Sequence, residues 1–268
     1  MAKQKDPPAA AEEGSSAPKA SLLSTVIAKA VHKPPRIFLY GVHGIGKTTF
    51  AASAPKPILI CTEEGAEELD VARFPRAESS EQVLDYLRTL YREPHEYQTV
   101  VIDTADWLED MVQLELLESA TKKELSYGQD AQLAMQRVNE VLIALNFLRD
   151  KRQMSAIIVA HSEIKRFDSP LTEPYDRYQP KLQRSLSALM QEWADAVLFA
   201  TYDVSVKSEE VGFDKKVRRG ISSGDRILYC EERPAFFAKN RYSMPSELPL
   251  DWEKVAACVP FFNQSAKG

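Results

Sequence analysis

Apolar residues run along this chain in two rhythms. Near-continuous apolar runs occupy 36–40, 58–61, 100–102, 156–160 and 196–200. Each is strand-sized and lacks the in-out alternation of a half-exposed strand, so each predicts a strand buried on both faces. Between them the apolar residues fall at helical spacing. One such stretch covers 47–53 and stops near Pro55; another carries Val83, Leu84, Leu87, Leu90 and Tyr91 behind Ser79, with Gln82 in the position of a capping box. Further helices are predicted over about 107–118 and over 130–150, where Leu133, Val138, Leu142, Leu145 and Leu148 share a side. Another shows Leu182, Leu186, Leu189 and Trp193 on one face. Strands alternating with helices predict an α/β domain with a mostly parallel central sheet covered on both faces, and ligands at the carboxyl ends of its strands. Shorter alternating runs near 203–207, 226–230 and 235–239 predict an antiparallel C-terminal extension.

The ends read differently. Residues 1–20 are rich in Ala, Pro, Ser, Lys and Glu, with no large apolar residue after Met1, too little to offset the entropy of ordering, and predict a disordered tail. Leu22, Leu23, Val26, Ile27, Ala30 and Val31 predict a short helix over 21–33, stopped by Pro34-Pro35, that docks on the domain or on a neighbouring subunit. The domain is expected over 34–262, with a tail over 263–268.

Composition narrows the class. The 268 residues suffice for one substantial core, and 44% hydrophobic with 27% charged residues suits a soluble globular chain with no membrane span. Cys61, Cys230 and Cys258 stand far apart with no CxxC pairing, which indicates neither a disulfide framework nor a zinc site and fits a reducing cytoplasm. A net charge of −5 argues against nucleic-acid binding through the whole surface, although residues 204–241 hold nine Lys/Arg against six Asp/Glu.

The chemistry clusters after the predicted strands. Gly41, Val42, His43, Gly44, Ile45, Gly46, Lys47 and Thr48, with Thr49 beyond, lie between a strand and a helix. Glycines let backbone N–H groups wrap an oxyanion, Lys47 reaches β- and γ-phosphates, and Thr48 offers a hydroxyl to magnesium, which is the logic of a P-loop holding ATP and Mg²⁺. Asp103 ends its strand where a magnesium-directed carboxylate belongs. Glu63 and Glu64 follow another strand on the same edge, and either can polarise an attacking water. His161, after the fourth strand, stands where a side chain can touch the γ-phosphate and report its loss. The loop expected over 162–180 mixes Lys165, Arg166, Phe167, Tyr175, Arg177 and Tyr178, as single-strand binding surfaces do. Lys239 and Arg241, closing the last strand, are candidates for a finger into a neighbour's ATP.

This set resembles the RecA-like ATPase core over about residues 34–242: 41–48 as Walker A, 58–63 as the strand ending in the catalytic glutamate, 100–103 as Walker B, and His161 as the polar sensor, where RecA has a glutamine. Within that superfamily it looks most like phage nucleotide-binding, AAA-family proteins of the Sak-type single-strand annealing group, whose closing Ala-Lys-x-Arg-Tyr resembles 238–242. The resemblance implies a three-layer αβα P-loop fold and an ATPase that binds single-stranded DNA, forms homo-oligomeric rings or filaments, pairs strands, and works beside a single-strand binding protein in the host cytoplasm. It places DNA contacts on two loops, one with Lys122, Lys123 and Tyr127, the other with Lys165, Arg166, Phe167 and Arg177. A motor or loader that remodels a replication protein without lasting DNA contact is the alternative. A small-molecule kinase fits less well, since no arginine-rich lid is evident.

Overall fold

The computed structural model describes residues 22–119, 129–210 and 216–264. The expected tail over 1–20 lies outside them, as do Lys122, Lys123, Tyr127 and residues 265–268. The chain divides into two compact units, residues 1–31 and 32–268. In the first, the helix expected over 21–33 reduces to a 3-10 turn, Leu22–Thr25. Helices this short are marginal in water unless an apolar face is packed, and Leu23, Val26, Ile27 and Val31 are all exposed.

The second unit alternates strand and helix as expected: β1 (Arg36–Gly41), α1 (Lys47–Ala52), β2 (Pro57–Cys61), α2 (Ser80–Arg92), β3 (Thr99–Asp103), α3 (Ala105–Ser119), α4 (Gln129–Arg152), β4 (Ser155–Phe167), β5 (Tyr175–Pro180), α5 (Arg184–Trp193), β6 (Ala196–Glu210), β7 (Lys216–Tyr229), β8 (Lys239–Asn240), β9 (Glu247–Pro249), α6 (Trp252–Cys258) and α7 (Pro260–Gln264). The sheet order is β2-β3-β4-β1-β6-β7-β9. Strands β2, β3, β4, β1 and β6 run parallel, and β7, β8 and β9 add antiparallel pairs.

Alternation along β1 sends Phe38 and Tyr40 to one face and Ile37 and Leu39 to the other. Phe38 and Tyr40 pack with Leu87 of α2, Leu108 of α3, Leu142 of α4 and Met190 of α5. Ile37 and Leu39 pack with Phe50 of α1 and with Trp252 and Val255 of α6. Helices therefore cover both sides in three αβα layers, and each buried aliphatic or Phe side chain contributes about 1.5–3 kcal/mol. The Ser79 cap forms, accepting from the Gln82 N–H at 3.1 Å.

Two expectations change. The polar loop over 162–180 is a hairpin: β4 runs past its buried half and pairs antiparallel with β5 from Ser162↔Pro180 to Phe167↔Tyr175. The strand expected at 235–239 shrinks to β8, because the buried Tyr40 hydroxyl donates to Phe237 O at 2.6 Å and accepts from Phe237 N at 3.0 Å. With its N–H taken by a side chain, Phe237 has no donor left for a ladder.

Candidate functional site

The phosphate loop begins where β1 ends between β4 and β6. A Cβ on Gly41 would lie 2.2 Å from Ala200 O, so only glycine lets the strand leave the sheet here. Gly46 turns the chain into α1 at φ +100, and a Cβ there would stand 2.7 Å from Arg226 Nη1. Lys47 is buried, its ammonium donating to Gly41 O at 3.2 Å and Val42 O at 3.0 Å. Burial pushes its pKa down, against the pull of Asp103, Asp106 and Glu63.

Thr48 Oγ1 donates to Asp103 Oδ2 at 2.7 Å. Asp103 Oδ1 is buried and has no hydrogen-bond partner. An orphaned carboxylate oxygen beside a hydroxyl, facing a phosphate loop, fits a magnesium ion that arrives with its nucleotide. Among the described residues no cluster of three His, Cys, Asp or Glu side chains forms a protein-only metal cage. Burial raises the Asp103 pKa, and the Thr48 hydrogen bond with the charge of Lys47 partly opposes it.

Thr62 ties the ends of β2 and β3 together. Its N–H donates to Asp103 O at 2.8 Å, its hydroxyl donates to Thr104 O at 2.8 Å, and that hydroxyl accepts from Thr104 N at 2.8 Å. The knot sets Glu63 beside Asp103. Glu63 is raised in pKa by burial and by Asp103 and Asp106, with Lys47 pulling the other way, as suits a proton acceptor. Glu64 turns outward, is mostly exposed and pairs with Arg76 at 3.3 Å.

Strand β4 lies between β1 and β3, which puts His161 level with Gly41. Asp106, in the first turn of α3, holds it twice: Oδ1 accepts the His161 backbone N–H at 2.9 Å and Oδ2 meets Nδ1 at 2.8 Å. Burial pushes the Asp106 pKa up, but the bonds from His161 outweigh it and hold the carboxyl below its ordinary value. His161 Nε2 lies 4.0 Å from Glu63 Oε1. On its ring face lies His43, with centroids 4.0 Å apart and planes at 17°.

The other candidates lie elsewhere. Lys165 pairs with Glu163 at 2.7 Å and donates to Leu182 O at 3.2 Å. Arg177 is buried, pairs with Glu232 at 3.0 Å and stacks over Phe167 at 4.7 Å, because antiparallel pairing with β4 turns it inward. It therefore holds the hairpin and offers no surface to DNA. Arg166, largely exposed, remains open to solvent near Asp168. Lys239 and Arg241 lie at the amino ends of the strands, across the sheet from the phosphate loop of their own subunit. Lys239 donates to Gln191, Glu192 and Ala194 carbonyls at 2.8, 3.2 and 2.7 Å, and Arg241 pairs with Asp195 at 3.1 Å.

Sequence reading missed Asp106, Thr62 and Arg226. Asp106 carries a faint signal, an acid three residues beyond Asp103; Arg226 carries none, since only folding of β7 brings it to Gly46. Beside α1, Gly46, Thr49, Phe50, Arg226, Asp251 and Trp252 help line a groove of about 490 Å³.

Residues 33–242 match the family model described as AAA domain (AAA_24), a span holding Lys47, Thr48, Glu63, Asp103, Asp106, His161 and Arg226. No curated protein matches the chain. Among solved structures the chain is similar to the crystal structure of the RadB recombinase, with 17% identity and a TM-score of 0.39 over 77% of this chain and 84% of that one. Among the described residues no helix is long and apolar enough to cross a membrane.

Proposed function

We propose that this chain, which belongs to the AAA domain family AAA_24, binds ATP with magnesium and hydrolyses it. The observation that carries the reading is the Thr48–Asp103 contact with its unpartnered Oδ1, set between Lys47 and Glu63. Loop N–H groups and Lys47 hold the phosphates. Thr48 and Asp103 would hold the magnesium ion, which would neutralise phosphate charge. Glu63 takes a proton from a water as its oxygen bonds to the γ-phosphorus; the bond to the β–γ bridging oxygen breaks, and its electron pair leaves with ADP. The groove beside α1 suits the base and ribose.

The finer reading is an ATPase coupled to single-stranded DNA, working as a homo-oligomer in strand annealing. Its support is continuity, since β4 carries His161 and then runs into the hairpin bearing Arg166 and Phe167. Arg241, whose side chain is 54% exposed, is the better candidate for a finger into a neighbouring subunit; Lys239 is spent on the end of α5. ATP turnover measured with and without single-stranded DNA tests the coupling. Stimulation that fades steeply with added salt is expected, because phosphate contacts release counterions. Turnover indifferent to DNA but raised by a replication protein favours the motor or loader reading instead.

A further inference from the structure

His161 and Glu63 face each other across a gap with a definite length. At 4.0 Å the Nε2 to Oε1 separation is too long for a hydrogen bond and suits one bridging water, which sits about 2.8 Å from each acceptor. The two directions from such a water lie near a right angle, close to the angle between its own O–H bonds. A water donating both hydrogens this way turns its lone pairs outward.

Which atom His161 presents is set behind it. A carboxylate has no hydrogen to give, so Nδ1 bears the proton shared with Asp106 Oδ2 at 2.8 Å. A neutral ring protonated at Nδ1 presents Nε2 as an acceptor. The other Asp106 oxygen holds the backbone N–H of the same residue, so ring and strand are fixed by one side chain. His43 covers a ring face, and the in-plane Nε2 remains the atom turned to Glu63.

We propose that Glu63 and His161 hold the attacking water between them, His161 as a second acceptor whose tautomer is set by Asp106. This rests on the ATP-hydrolysis reading above and gives His161 a part in the reaction itself. Asp106 is a positioning residue. One water proton passes to Glu63 as the oxygen bonds to phosphorus; the hydrogen on the His161 side stays on the oxygen and leaves with inorganic phosphate.

The Asp106→Asn variant tests this because the two shapes match while the hydrogen-bond roles differ. Its amide oxygen must take the buried His161 N–H, which leaves the NH₂ facing Nδ1 and forces the ring proton to Nε2. Nitrogen-15 NMR of the imidazole is expected to read an Nδ1–H neutral ring in the wild type and an Nε2–H ring in the variant. ATP affinity is expected to stay within about twofold, while single-turnover hydrolysis falls about a hundredfold. His161→Gln, which keeps an acceptor oxygen, should retain more turnover than His161→Ala whether or not Asp106→Asn folds. Wild-type turnover in Asp106→Asn with the tautomer reversed, a wild-type ring protonated on Nε2, or equal turnover in the two His161 variants overturns the proposal. A wild type that binds ATP and releases no phosphate instead overturns the hydrolysis reading beneath it.

Discussion

Asp195 and Asp103 stand at opposite edges of one sheet, both buried and both surrounded by cations, yet their fates differ. At the amino edge, Asp195 accepts from Arg36 N, Nε and Nη2 at 3.1, 3.2 and 2.9 Å, from Arg149 at 3.0 Å and from Arg241 at 3.1 Å. Burial pushes its pKa up, but the Arg36 hydrogen bond and the Arg36 and Arg149 charges outweigh it and hold the carboxyl below its ordinary value. At the carboxyl edge, Asp103 keeps one oxygen unpartnered and its pKa is raised, while Lys47 spends its donors on loop carbonyls. Saturated charges fasten the chain, and unsaturated ones wait for a ligand that brings its own.

The contrast breaks most visibly at Lys47. Replacing it by Ala should cost about a thousandfold in ATP turnover and leave the melting temperature nearly unchanged, which kinetics and a melt on the same sample check. Asp195→Ala should do the reverse. It takes the carboxylate from the largely buried Arg36 and Arg149 and is expected to remove about 3 kcal/mol of stability in a urea titration, with the catalytic machinery of a folded subunit intact.

The same carboxylate gives a pH signature. A group whose folded pKa is depressed contributes its full stability above its unfolded value and loses it as pH falls through the folded one. Denaturation across acid pH should therefore find the wild type losing stability below the ordinary aspartate range, and Asp195→Asn losing less. At the other edge, Glu63→Gln should slow hydrolysis about a hundredfold while ATP binding persists; normal turnover would move the base elsewhere. The smallest effect belongs to Lys239→Ala, about 1 kcal/mol of stability from its contacts at the end of α5.

Much of the carboxyl edge was legible before folding, because the sequence concentrates its signal there. Runs such as 100–102 are apolar on both faces, so β3 and the position of Asp103 at its end follow from pattern alone. Glu63 and Glu64 were indistinguishable, since adjacent residues diverge only once the Thr62 knot fixes the backbone. Asp106 resembles any acid that complements the start of a helix, and its role depends on β4 falling between β1 and β3. The β4–β5 hairpin escaped because Ile164, Phe167, Tyr175 and Tyr178 are interspersed with charged residues, which removes the periodicity that marks a buried strand. Lys239 and Arg241 read as finger candidates because only folding brings the α5 carbonyls to Lys239 and the Asp195 carboxylate to Arg241.

The most direct test of the central claim is phosphate release from ATP by purified wild type and by Glu63→Gln, each with and without magnesium. The account predicts magnesium-dependent release by the wild type, and a Glu63→Gln variant that still binds ATP but releases phosphate about a hundredfold more slowly. Equal release by the two proteins, or none by a wild type that has bound ATP and magnesium, would contradict it.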